Sequence, residues 1–135
     1  MSKSRLAARP AKASKVVNGV DVRAASPYGY AFTDWLARED PDYVKARIPV
    51  SALSFGEGKE LSIKYREMVV IGILAFRGLQ DGVVAHMRRA IDHGATKREL
   101  LEAIQSATVP GGGPTLSTGV QALMELEQAK AFKNG

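Results

Sequence analysis

The stretch from Ser62 to Met124 carries apolar residues at helical spacing and is cut at short intervals by glycine. No other feature restricts the fold as tightly. Ile63, Glu67, Val70, Ile71 and Leu74 fall on one stripe of a helix over about residues 63–77, which Ser62 can cap and Gly78 closes. Asp81 can cap a second helix over about 82–93, closed by Gly94. Thr96-Lys97-Arg98-Glu99 matches a capping box and opens a third helix, with Leu100, Leu101, Ile104 and Ala107 on its buried face. The run Gly111-Gly112-Gly113 stops that helix. Pro114 suits the first turn of a last one, with Leu116, Val120, Leu123 and Met124 apolar. Upstream, Phe32, Trp35 and Leu36 share a helix face, and Asp40-Pro41 opens a short helix near residues 42–47. Residues 49–58 read as a connection. No β-type alternation of any length appears. The chain is therefore expected to be all-α, a bundle of five to six helices with short links.

A length of 135 residues allows one domain. The net charge of +5 is unevenly placed. Lys3, Arg5, Arg9, Lys12, Lys15 and Arg23 face one acid, Asp21, within residues 1–25, and the rest of the chain balances to zero. The reading is a basic N-terminal arm over 1–25, a solvated tail that contributes no core, followed by a single helical domain over 26–135. The arm lacks the apolar segment of a secretory signal, and no apolar run reaches the roughly 20 residues that span a bilayer. Its composition also matches an organelle transit peptide, but a cytoplasmic protein without a membrane partner is the simpler expectation. No recognised nucleic-acid fold accompanies the basic segment, so no nucleic-acid partner is expected. Cysteine is absent, which excludes disulfides, cysteine–zinc sites and all thiol chemistry.

Two polar residues stand where the helical pattern demands apolar ones. Glu67 precedes Val70, Ile71 and Leu74 by three, four and seven positions. His86 lies between Val83 and Ala90 on an apolar stripe of the next helix. A carboxylate so placed must be paired, and an imidazole on the adjoining antiparallel helix is its natural partner. Such a pair can hold a proton near neutral pH, as acid–base chemistry requires, or can simply fix helix register. His93, seven residues after His86, can reach the same face or cap its helix. The two histidines stand about 10 Å apart along the axis, so a shared metal ion is not expected. The triple glycine lacks the Lys-Ser/Thr of a phosphate loop but leaves Gly112 and Gly113 as a modest anion site at a helix start. Arg66 and Arg77 can steer a carboxylate; Arg88-Arg89 reads as a solvated helix face.

Several segments resemble the carboxymuconolactone decarboxylase superfamily, which includes the alkylhydroperoxidase D-like proteins. They are Tyr65-Arg66-Glu67-Met68-Val69-Val70, the run His86 to Thr96, Glu99-Leu100-Leu101-Glu102-Ala103-Ile104, and Gly112-Gly113-Pro114, in the order typical of that family. They cover about half of the chain; residues 1–55 resemble no family known to us. In the peroxidase branch a Cys-x-x-Cys lies just before the histidine; Leu79 and Gly82 hold those positions here, so thiol peroxidase chemistry is excluded. The resemblance places the family's proton-relay carboxylate on Glu67 and its histidine on His86. The decarboxylase branch works without cysteine. It usually carries a tyrosine shortly before the glycine–proline break, where this chain has Pro110.

The resemblance implies an alkylhydroperoxidase D-like fold and a cofactor-free lyase acting on a small carboxylated substrate, a lactone or keto acid, as in breakdown of aromatic compounds. It also implies a homotrimer or homohexamer. The alternative is a non-catalytic oligomeric protein of the same fold that binds a ligand or partner. On the lyase reading Glu67 and His86 are catalytic, and Arg66, Arg77, His93, Gly112 and Gly113 are candidates for holding the substrate.

Overall fold

In the computed structural model, which describes residues 14–133, the chain runs β1 (Val16–Val17), β2 (Val20–Asp21), α1 (Val22–Ala25), α2 (Ala31–Glu39), α3 (Pro41–Phe55), α4 (Ile63–Phe76), α5 (Gln80–Asp92), α6 (Lys97–Gly111) and α7 (Gly113–Gln128). Seven helices among the described residues exceed the expected six by the single turn of α1. Lys3, Arg5, Arg9 and Lys12 lie outside the described residues.

The glycine-punctuated half folds as its pattern dictates. Gly78 and Gly94 take φ of 72° and 93°, the left-handed geometry that ends a helix without a Cβ clash. Thr96 and Glu99 form the reciprocal capping box at the start of α6. Ser62 precedes α4 but its side chain caps nothing; the Glu57 carboxylate instead accepts from the Ile63 N–H at 3.2 Å. α4 packs on α5, α6 and α7 around Ile71, Val83, Met87, Leu100, Ile104 and Leu126, all fully buried. α6 and α7 approach closely at Gly119, where a Cβ would stand 2.4 Å from Ile104.

The N-terminal half departs from expectation. β1 and β2 pair antiparallel through Asn18 and Gly19, with φ of 47° and 76°. Positive φ at both turn residues suits an Asn-Gly hairpin, whose twist matches the flanking strands. Val20, Val22 and Ala25 are buried with Ala37 and Val44 in a second small core. The part of the basic segment from residue 14 onward is thus packed structure, because its four valines supply apolar area that its charge count concealed.

Two helix expectations are also corrected. α3 continues through Pro49 to Phe55, where a connection was expected. A proline inside a helix removes one hydrogen bond and crowds the preceding turn. Here both flanks are anchored: Val44 lies in the second core, and Ser51 Oγ donates to the Ala25 carbonyl at 2.6 Å. In α2 the buried residues are Thr33 and Ala37, whereas Phe32 and Trp35 are exposed. Small residues let this nine-residue helix approach its neighbours closely, which leaves the aromatic side chains outside.

Candidate active site

α4 buries one residue per turn: Ile63, Glu67, Ile71 and Ala75. Glu67 occupies a core position in that row and is 1% exposed. The turn at Arg77–Leu79 folds α5 back against α4 and brings His86 opposite. The expected pair forms: His86 Nδ1 lies 2.7 Å from Glu67 Oε2. Two further donors meet the other oxygen. Arg89 donates to Oε1 at 2.8 Å, and the Tyr28 hydroxyl donates to it at 2.6 Å. Burial pushes the Glu67 carboxyl up, but the hydrogen bonds and charge of His86, with the bonds from Tyr28 and Arg89, outweigh it and hold the carboxyl below its ordinary range. Glu67 is therefore an anion at neutral pH, as a carboxylate with three donors should be.

Tyr28 enters from the segment between α1 and α2. Its ring lies 4.0 Å from the His86 ring, centroid to centroid, and meets Phe55 edge-on at 5.3 Å. Burial, and then the Glu67 charge and hydrogen bond, push its phenol well above the ordinary tyrosine range. Tyr28 is thus a fixed hydrogen-bond donor.

With Nδ1 committed to an ionised Glu67, that nitrogen carries a proton and Nε2 is the ring's working atom. Nε2 has no hydrogen-bond partner among the described residues. His86 lines a cavity of about 130 Å³ beside Tyr28, Tyr30, Phe32, Thr33, Arg47 and Phe55. A second, larger groove of about 500 Å³ runs between α4 and α6. Its lining, including Val69, Ile73, Phe76 and Pro110, holds no titratable side chain, so the smaller cavity is the one with chemistry.

The remaining sequence candidates lie elsewhere. Arg66 spends its guanidinium on the Leu53 and Gly56 carbonyls, tying α4 to the end of α3. Arg77 and His93 cap the C-termini of α4 and α5 and are exposed. Gly112 and Gly113 form the exposed α6–α7 junction; Gly112 has φ of 82°. None of these five lines the cavity of His86. Arg89, expected on a solvated face, is instead drawn inward by Glu67; standing three residues after His86, it shares that residue's face. Tyr28 carried no signal in the sequence, since nothing in spacing ties residue 28 to residue 67. No three side chains of metal-ligating type cluster among the described residues. No described helix is long and apolar enough to cross a membrane.

The chain is a helical bundle that carries a buried Glu–His pair on successive helices and no thiol, and comparison with known proteins gives its family. Residues 41–125 match the model of the carboxymuconolactone decarboxylase family, and the chain belongs to that family. The fold is similar to a protein from Burkholderia xenovorans LB400, provisionally described as a carboxymuconolactone decarboxylase and solved by crystallography. The TM-score is 0.61 at 25% identity, covering 72% of this chain and 78% of the other. No curated protein matches significantly.

Proposed function

We propose that this chain is a cofactor-free lyase of the carboxymuconolactone decarboxylase type, acting in the cytoplasm on a small carboxylated lactone or keto acid. One observation carries the reading: His86 gives Nδ1 to a buried, ionised Glu67, lines a cavity, and keeps Nε2 unpartnered. Decarboxylation without a cofactor needs an electron sink in the substrate itself. The bond to the carboxylate carbon breaks, CO₂ leaves, and the electron pair passes into the conjugated carbonyl as an enolate. The enolate must then be protonated at carbon. For that step His86 starts as the imidazolium, protonated at both nitrogens. It gives the Nε2 proton to the enolate carbon and becomes a neutral ring that still donates from Nδ1 to Glu67, until solvent returns a proton to Nε2. Arg89 balances the Glu67 charge, so the pair can lie in the interior without a net anion.

The cavity beside the pair favours this reading over a non-catalytic binding protein. Purified protein, offered unsaturated lactone and β-keto carboxylates, should release CO₂. His86→Ala should lose at least ~100-fold in rate, the ordinary size of a general acid's contribution, and Glu67→Gln should lose most of that. Wild-type rates in both variants would reject the assignment.

The protein is further inferred to be a homotrimer or homohexamer, as its resemblance implies. Tyr65, Val69, Ile73 and Phe76 form an exposed apolar row along α4 beside the larger groove. An apolar patch of that kind on a small domain supports self-association.

A further inference from the structure

Three polar groups that line the His86 cavity, or belong to residues that do, have no partner among the described residues. Thr33 Oγ1 is buried and makes no hydrogen bond among the described residues. Burying a hydroxyl without a partner costs about 1–3 kcal/mol, so a built site should have a use for it. Arg47 is exposed, lines the cavity, and has no carboxylate within ion-pair distance among the described residues. His86 Nε2 is the third. The remaining lining is largely aromatic. Tyr30 stacks on Tyr28 at 5.8 Å and on Phe32 at 5.3 Å, and Phe55 closes on Tyr28 from α3.

Charge and volume limit the occupant. Glu67 and Arg89 cancel, so Arg47 leaves the cavity with an unbalanced positive charge. The cavity is about 130 Å³. An engineered cavity of ~150 Å³ takes benzene, so this one admits a single ring with its substituents directed toward the open side. A flat ring between aromatic walls, an anion at the exposed arginine and an oxygen at the buried hydroxyl use every free group.

We propose that Thr33 and Arg47 are the specificity-determining residues of this site: Arg47 takes the carboxylate of a one-ring ligand, and the Thr33 hydroxyl bonds a second polar atom beside His86. This rests on the reading of the His86 cavity as the substrate site and replaces Arg66 and Arg77 as the carboxylate anchors. Thr33 lies on α2, outside the residues that match the family, whereas Arg47 lies within them, so the part of selection that Thr33 carries would be particular to this chain.

Binding can be read without turnover, because the protein has only two histidines and His93 lies outside the cavity. Full-length protein labelled at histidine would be titrated with benzoate and with benzamide, its neutral isostere, while ring NMR signals are followed. Benzoate at millimolar concentration should shift the His86 signals saturably and leave His93 in place. Benzamide should bind at least ~10-fold more weakly, as expected for loss of a charge-assisted contact. Arg47→Gln should weaken benzoate at least ~10-fold and leave benzamide unchanged. Thr33→Val keeps the shape and removes the orphan hydroxyl, so it should weaken a hydroxybenzoate, which carries a second oxygen on the ring, about 3-fold or more, and leave benzoate affinity and the unfolding midpoint unchanged. The proposal is overturned if benzoate does not move His86, if benzamide binds as well as benzoate, or if Arg47→Gln retains wild-type affinity. Failure of the catalytic reading looks different: benzoate would bind with full Arg47 dependence, yet CO₂ release would be unaffected by His86→Ala.

Discussion

The bundle α4–α7 and the N-terminal layer β1–α3 bury separate interiors, and the site lies where they meet. The bundle is the larger and holds both halves of the buried hydrogen-bonded pair, Glu67 and His86. The layer holds a handful of small apolar residues around Val44 and adds nothing charged to the pair. It contributes Tyr28, which spans the seam to Glu67, and most of the cavity wall over His86. The pair could exist in the bundle alone as a device for fixing helix register. Covered by the layer, it gains a small, aromatic-walled space beside the imidazole, whose second nitrogen has no partner among the described residues. The bundle supplies the chemistry and the layer supplies the enclosure.

If the two interiors are unequal in this way, core truncations should differ. Ile104→Ala, in the tightest part of the bundle, should cost about 2–5 kcal/mol in urea unfolding, and Val44→Ala, in the layer, about half as much. Equal losses would break the comparison. Next in size is Glu67→Gln, which leaves Arg89 and Tyr28 facing a neutral amide and should cost about 2–3 kcal/mol at neutral pH. This loss depends on pH with a definite sign. The folded-state Glu67 carboxyl lies below its unfolded value, so its stabilisation is complete above the ordinary carboxylate range and disappears as pH falls through the folded value. Stability curves of wild type and Glu67→Gln should accordingly converge in acid; parallel curves would mean that Glu67 is not held as an anion. The smallest effect tests the seam. Tyr28→Phe keeps the ring against His86 and removes one hydrogen bond, costing about 1 kcal/mol. Combined with Glu67→Gln, it should add less than its single cost, since both changes remove the same bond.

Much of the bundle could be read from the chain because its signals are local. Glycines at residues 78, 94 and 112, the capping box at Thr96 and apolar residues every three or four positions each act within one turn. Glu67 and His86 stood out for the same reason: each breaks a local pattern, and the short link between their helices makes them neighbours. The layer was harder to read. Asn18-Gly19 between valine pairs is a strong hairpin signal, but it lies within a charge-biased segment that reads as a tail. Pro49 normally ends a helix, and tertiary contacts from elements distant in sequence, the second core at Val44 and the Ser51 bond to Ala25 among them, carry α3 past it. Arg89 was legible in principle, three residues from His86 on the same face. Tyr28 and Thr33 were not. Their importance depends on how the layer docks over α5, and no periodicity encodes a docking.

The central claim is that Glu67 holds His86 by Nδ1 and leaves Nε2 free for proton transfer. Nitrogen-15 NMR of histidine-labelled protein tests it directly, with His93 as the only other signal. The prediction is that neutral His86 carries its proton on Nδ1, and that this preference is lost in Glu67→Gln while His93 is unchanged. A neutral His86 protonated on Nε2, or a tautomer indifferent to Glu67→Gln, would contradict the account.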